Sequence, residues 1–431
     1  MYLHATIVLI AMIATFAISS WKLKSTELSM VITAIVGALV GGFGFPARLL
    51  VEGMFTFFDV GMTFITAAIF INIYSATGAM DAIVRAIVQN FHSKKWVVFV
   101  LLGCIMLIPG ALTGAGSVSI FVVGGMVSTV LGYMGLSKKK VVGFVFMFAV
   151  LSAACPPINL WAMLMCAQAN MPYVGFDIPL LAPLVVISIF VVIFFGWGSK
   201  PQEKQKILDQ LPEPAEGMNW IRISLPLLTL VVLFLMQRYL AFNLPVIGLP
   251  LTFMICALIS VLCSPKRKGI KSWFSTINVT MEQVFPLLAT VISVGTLVNI
   301  MTATGVRGLI AITFVTLPVV LIYVTALLFL PFAQGSLSYG SAVILGTPII
   351  FLFNAIGVNV TIVAAALSFM FPLGDAMPPS RIVGRVAIST VEYEGSYMSF
   401  LKAIMVPAAF MGGVALLMLI LANKFSFLVV Y

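Results

Sequence analysis

The strongest constraint on this chain is where charge is missing. Between Trp96 and Ser137 there is no Asp, Glu, Lys or Arg, and from Val141 to Ser199 only Asp177. Apolar runs of about 20 residues recur throughout, the length a helix needs to cross a hydrocarbon core. Only 8% of the 431 residues are charged and 62% are hydrophobic, whereas soluble domains carry about a quarter charged residues. A soluble enzyme, a nucleic-acid binder and a disordered protein are thereby excluded. A membrane β-barrel would read as short alternating segments instead. The expected fold class is an all-α polytopic protein embedded in a lipid bilayer.

The net charge of +10 follows from short Lys and Arg clusters between apolar runs, which read as topology signals. The five cysteines, Cys104, Cys155, Cys166, Cys256 and Cys263, lie inside apolar runs without CxxC spacing. They read as small buried residues, not as a disulfide or metal framework. The two histidines, His4 and His92, are too few and peripheral for a His-based site. The first apolar run, 3–20, lacks a basic region ahead of it and has a counterpart later in the chain, so it reads as a helix and not as a signal peptide.

A shift of 222 residues brings two parts of the chain into register. Pro109 matches Pro331, Ser119 matches Ser341, Gly124 matches Gly346 and Gly135 matches Gly357, while Pro156-Pro157 falls on Pro378-Pro379. The apolar runs follow the same shift: 3–20 maps near 223–240, 27–42 near 249–262, 55–73 near 279–298, and 178–195 near 400–417. The triplets Ala76-Thr77-Gly78 and Ala303-Thr304-Gly305 recur at a shift of 227. The chain therefore reads as a tandem duplication, 1–209 and 210–431.

Each half carries two interrupted segments. Around 110–119 lie two apolar arms, 96–108 and 120–132, each too short to cross comfortably. They predict a re-entrant hairpin over 96–132, with its counterpart over 311–354. Its tip is rich in Gly and Ser because non-helical backbone at membrane depth must be buried in protein or line a wet cavity. The segments 141–170 and 361–386 are long enough to span but hold a Pro-Pro pair, which removes two backbone donors and predicts a broken helix. About five crossings per half, an odd number, turn the second half upside down as an inverted repeat. With the N-terminus outside, 19 of the 23 Lys and Arg fall on or near the cytoplasmic side. Only Arg48, Arg238, Arg307 and Lys424 fall outside, a positive-inside bias. The cytoplasmic set includes Lys138, Lys139, Lys140, Lys266, Arg267 and Lys268. The polar connector 198–219 joins the halves on that side.

Opposed hairpins and broken helices bring free backbone ends towards the midplane. Helix N-termini favour anions there, and unwound carbonyls favour small cations. Thr113, Ser117 and Ser119 in the first tip, and Gln334, Ser336, Ser338 and Ser341 in the second, add hydroxyl and amide oxygens suited to Na+. The plainer alternative is that small tip residues allow close helix packing. Charges within a membrane are costly and usually functional. Asp375 and Arg381 flank the second break: Asp375 suits a Na+ ligand or proton carrier, and Arg381 a partner for a substrate carboxylate. Alternatively the two pair with each other, or Arg381 snorkels to the surface. The matching first-half positions are Ala153 and Asn159, and Asn159 suits an amide donor or ion ligand. Asp59 and Glu282 read as interfacial charges at helix N-termini. An intramembrane aspartyl protease needs two facing acids, and no second acid sits in a comparable motif. A channel fits opposed hairpins less well than alternating access does.

At these residues the chain resembles the large membrane subunit of tripartite ATP-independent periplasmic (TRAP) transporters, within the wider ion transporter superfamily. The resemblance spans nearly the full length. It is most specific in Thr113-Gly114-Ala115-Gly116-Ser117, Gly124-Gly125, the break 153–157 and Pro378-Pro379. It implies an elevator-type carrier, a multi-pass protein of the bacterial inner membrane, that imports a small organic anion such as a dicarboxylate or sugar acid with Na+. Carried over, the Na+ ligands fall at Thr113, Gly114, Gly116, Ser117, Pro156 and Asn159, and at Gln334, Gly335, Ser336, Ser338, Asp375 and Pro378. Substrate contacts fall at Ser117, Ser119, Asn159, Ser336, Tyr339, Ser341 and Arg381. The family works with a small membrane subunit and a soluble substrate-binding protein. The second tip, 334–340, and the pair Asp375 and Arg381 depart from that pattern. A stand-alone carrier of the same superfamily, for dicarboxylate, citrate or gluconate, or a Na+/H+ antiporter, remains the alternative.

Overall fold

A segment without charge in hydrocarbon has no water to satisfy its backbone, so it must close its hydrogen bonds within itself. The computed structural model follows that rule: among the described residues, 2–239, 247–265 and 269–430, all regular structure is helical. The Lys266-Arg267-Lys268 cluster and the end of the 223–240 run lie outside the described residues, as does the side chain of Arg238. The first half contains α1 (Tyr2–Leu23), α2 (Thr26–Val40), α3 (Ala47–Met54), α4 (Phe58–Ala76), α5 (Ala79–Phe91), α6 (Lys95–Thr113), α7 (Gly116–Ser119), α8 (Gly125–Tyr133), α9 (Lys138–Ala153), α10 (Leu160–Ala169) and α11 (Asp177–Gly196). A short α12 (Lys204–Leu208) lies in the connector. The second half contains α13 (Trp220–Tyr239), α14 (Gly248–Cys263), α15 (Ile270–Ala303), α16 (Val306–Thr316), α17 (Val319–Leu337), α18 (Thr347–Ala355), α19 (Val360–Met370), α20 (Ile382–Thr390) and α21 (Tyr397–Ile420). Among the described residues nine helical stretches are long and apolar enough to cross a membrane.

The 222-residue spacing reappears in the local structure. A π-helical turn at Ile120–Gly124 has its equal at Ala342–Gly346. α8 maps onto α18, and the start of α10 onto the start of α20. Both Pro156-Pro157 and Pro378-Pro379 are cis. The shift of 227 is equally plain: Gly78 and Gly305 both adopt left-handed backbone one residue before α5 and α16.

The hairpin arms are longer than the sequence suggested. α6 has 19 residues, and Gly116–Tyr133 supplies 18, so each arm reaches about 27 Å. The expectation of 13-residue arms treated Pro109 as a stop, yet it sits inside α6, which continues past it although the proline supplies no backbone donor. The second hairpin is likewise 319–355; residues 311–316 belong to α16, a separate helix.

The arms nevertheless return to where they started. His92 Nε2 lies 2.7 Å from Gln202 O, and Gln202 N donates to Tyr133 O at 2.9 Å, so both ends of the first hairpin meet the connector. Lys95 Nζ donates to Ser199 O and Lys140 Nζ to Trp197 O in the same region. In the second hairpin the Tyr323 and Phe353 rings, near its two outer ends, are 6.0 Å apart. α21 relates the two locations. Lys138 Nζ donates to Glu392 O just before α21, and after 24 residues, about 36 Å, Asn423 bonds Gly357 and Asn359 beyond the second hairpin.

Two packing groups surround these hairpins. α15 crosses α2, α3 and α4, while α14 packs on α4 and α13, and α1 on α2. Asn299 Nδ2 ties α15 to Leu49 O of α3 at 2.7 Å. α15 is one continuous helix of 34 residues, so Glu282 sits exposed in its interior and not at a helix N-terminus as expected; Asp59 does lie in the first turn of α4. In the other group α9 and α19 are apolar all round and therefore buried: every residue from Val141 to Ala153 and from Thr361 to Met370 is enclosed. α6, α11, α20 and α21 pack around α9. The connector is strapped to the first half by Arg85, whose Nη1 donates to Leu208 O and Leu211 O, both at 3.0 Å.

Candidate functional site

The first tip begins where α6 ends. Gly114 has φ +67°, a conformation that disfavours a side chain, and a Cβ there would come 2.5 Å from Leu160 Cγ. Gly116 is pressed against the Ala149 carbonyl, with no room for a methyl group. Thr113 Oγ1 turns back to Pro109 O at 2.8 Å. Ser119 accepts from Gly110 N at 2.8 Å and donates to Ser152 at 2.9 Å, so its hydroxyl staples the tip to α9. Ser117 is half-buried and makes no side-chain hydrogen bond among the described residues. The Leu112 and Thr113 carbonyls, last in α6, likewise have no donor there.

The first break faces this tip. Ile158 N donates to Ala111 O at 3.1 Å across the gap. Pro156 is half-buried. Asn159 caps α10 by accepting from Ala162 N, and donates to Ala154 O at 3.0 Å and to Ser368 Oγ at 2.8 Å. Both of its amide hydrogens are held within the protein, and through Ser368 Asn159 joins the two halves.

The second tip is built around Gln334, which is 1% exposed. Its Oε1 accepts from Trp161 Nε1 at 3.0 Å and Ser341 Oγ at 2.8 Å, while its Nε2 donates to Asp375 Oδ1 at 3.1 Å. Ser338 takes the left-handed region, φ +50°, and its carbonyl accepts from Ser341. Ser336 is half-buried and reaches only Phe332 O, at 3.3 Å. Gly335 O accepts from Ser380 N at 3.2 Å, joining this tip to its break. The second break is a 3-10 turn, Phe371–Ala376, followed by exposed Met377, Pro378 and Pro379.

Asp375 and Arg381 do not pair. Asp375 takes its hydrogen bond from Gln334, and Arg381 lies over the Tyr397 ring with Cζ 4.8 Å from its centroid. Arg381 Nε is buried without an acceptor. A guanidinium group over an aromatic face is stabilised electrostatically, but its donors remain available to a planar anion.

The two tips touch. Tyr339 OH donates to Gly114 O at 3.2 Å, and its ring lies 4.9 Å from that of Trp161, which stands two residues past Asn159. Among the described residues no group of three His, Cys, Asp or Glu comes together; the oxygens at the tips belong to carbonyls, hydroxyls and the Asp375 carboxylate.

A cavity of about 1370 Å³ opens beside the second tip, between α1, α2, α15 and α16 on one side and α17 with the second break on the other. Ser336, Ser380 and Arg385 face it from the hairpin side, Lys24 and Glu27 from the other. Glu27 accepts from Ser25 and Thr290, both at 3.0 Å. Sequence reasoning missed Glu27, Trp161, Ser380 and Arg385 as site residues. Arg385 lies in the first turns of α20, just after the break, while Arg381 is the left-handed residue that precedes the helix.

No family model matches the chain, and no curated protein matches it by sequence. Solved structures similar to it include those of two bacterial transporters. YdaH, a transporter of Alcanivorax borkumensis whose structure revealed an unusual topology, is 13% identical, with a TM-score of 0.64 over 88% of this chain and 89% of that one. MtrF of Neisseria gonorrhoeae, whose structure illuminates a class of antimetabolite efflux pumps, is 12% identical, with a TM-score of 0.57 over 88% and 84%. The chain is a multi-pass helical membrane protein with the fold of these two.

Proposed function

We propose that the chain is a secondary active transporter, not an enzyme, that couples Na+ to uptake of a small organic anion, a dicarboxylate or sugar acid, across a bacterial inner membrane. In this reading the halves are inverted repeats. The hairpins and broken helices form the moving unit of an elevator, and α1–α4 with α13–α15 form its scaffold. One observation carries the proposal: both tips and both breaks converge in one buried polar network, beside a cavity with cationic and hydroxyl groups on its wall. Backbone interruption at membrane depth is tolerated where it serves such a site.

The free Leu112 and Thr113 carbonyls and the Ser117 hydroxyl suit one Na+. Ser336, with the backbone around Ser338 and Pro378, suits a second. Ser380, Arg381 and Arg385 suit the anion. All of these groups come from this chain, and uptake by the chain alone is the outcome this reading expects. The mid-membrane carboxylate of Asp375, with one donor and no cationic partner, favours a second reading in which H+ is the coupling ion.

Uptake by proteoliposomes tests both. Under an inward Na+ gradient at clamped pH, one or more of a panel of carboxylates should accumulate without added protein. Arg381→Gln should raise KM about tenfold or more, the loss of a charge-assisted hydrogen bond at roughly 1.5–3 kcal/mol. Accumulation driven equally well by a pH gradient without Na+, and abolished in Asp375→Asn, would instead establish H+ coupling. Accumulation only on adding a soluble binding protein would assign the chain to the tripartite type.

A further inference from the structure

We infer that Trp161 and Tyr339 are positioning residues that couple the ion site of one half to that of the other. The inference rests on the carrier reading above and adds a pathway to it. Tyr339, on the second tip, donates its hydroxyl to the Gly114 carbonyl of the first tip at 3.2 Å. Its ring lies against Trp161 of the first half, centroids 4.9 Å apart at 31°. Trp161 is fully buried and donates Nε1–H to Gln334 at 3.0 Å; Gln334 in turn holds Asp375 at 3.1 Å. The chain of contacts runs from Gly114 through Tyr339 and Trp161 to Gln334 and Asp375, and it passes between the halves at each aromatic ring.

Repeat packing does not generate this bridge. At the shift of 222, Gln334 corresponds to Leu112, Tyr339 to Ser117, Asp375 to Ala153 and Trp161 to Val383. None of those four counterparts can reproduce the contact its partner makes. The duplication therefore provides two similar tips, and four departures from it join them once. A cation drawn to the first tip moves carbonyls there, and hydrogen bonds weaken steeply with distance and angle. Tyr339 and Trp161 carry that movement to Gln334, which sets the second tip and Asp375.

The test uses Na+ itself as the probe, with choline as replacement cation. In the purified protein the melting temperature should rise sigmoidally with Na+, with a Hill coefficient of about 2 for one ion per tip; couplings of roughly 5- to 150-fold between sites are ordinary. Trp161→Phe removes the indole donor and keeps an aromatic ring; Tyr339→Phe removes only the hydroxyl. Each should bring the Hill coefficient near 1 and raise the Na+ midpoint at least threefold. The double variant should be no worse than the worse single, because both interrupt one path. Tyr323→Phe, at the outer end of the hairpin, should titrate as wild type. If Trp161→Phe lowers melting in choline, Tyr339→Phe carries the test. Wild-type cooperativity in Tyr339→Phe, or additive losses in the double variant, overturns the bridge alone. A wild-type protein indifferent to Na+ overturns the Na+-coupled reading and the bridge with it.

Discussion

Gln334 shows how much one buried side chain can hold. It holds Trp161 and Asp375 and shares the Ser341 hydroxyl with the Ser338 carbonyl, so removing it leaves the Trp161 indole and the Asp375 carboxylate without a hydrogen-bond partner among the described residues. At about 1–3 kcal/mol for each buried orphan, Gln334→Leu should lower the melting temperature by several degrees whatever the cation. Ser336→Ala should behave differently. Its hydroxyl makes a single long bond to Phe332 O, so melting in choline chloride should stay within a degree or so while stabilisation by NaCl shrinks; Ser117→Ala should act likewise. The two classes separate in one thermal-shift series, and equal NaCl responses in wild type and both Ser variants would remove the tips from the ion site. The sequence marked the oxygen-bearing tip residues but not their use. Whether Ser119 and Asn159 face an ion or tie the chain depends on Ser152 and Ser368, contacts across 33 and 209 residues that no local pattern encodes.

Among the elements, the interruptions were legible because Gly and Pro act locally. Pro-Pro cannot continue a helix, so both breaks appear where the repeated pairs stand, and the tips lie between their arms. Lengths were less legible. Pro109 and Pro331 lie inside α6 and α17, and both helices continue past them despite the missing backbone donor. Glu282 lies in the unbroken α15, since an apolar run marks hydrocarbon depth and not where a helix starts. The hairpins themselves rest on where their ends meet. Single cysteines in a cysteine-free background test this with an impermeant thiol reagent. His92→Cys and Ser137→Cys should label from one side of the membrane, and Gly357→Cys and Val319→Cys from the other. Labelling of His92→Cys and Ser137→Cys from opposite sides would mean that the chain passes straight through.

At the scale of the whole molecule, the fold places two packing groups side by side with the cavity between them. One is anchored by α15 across α2, α3 and α4; the other is wound around α9 and α19. The Lys side chains that gather at the connector end, Lys95, Lys138 and Lys140, donate to backbone carbonyls there, which agrees with the clustering of charge read from the sequence. The local recurrence was legible as well, since the shift of 222 that aligns the breakers also carries the π-helical turns and the Pro-Pro breaks. What the halves do to each other was not: Trp161 bonds to Gln334 and Glu27 to Thr290, partners far apart in the chain. The most direct test of an ion-coupled carrier is simultaneous measurement of labelled Na+ and labelled carboxylate entering proteoliposomes. The two should enter in a fixed ratio, and carboxylate accumulation should vanish when the Na+ gradient is collapsed. Carboxylate accumulation that proceeds unchanged without Na+ would contradict the account.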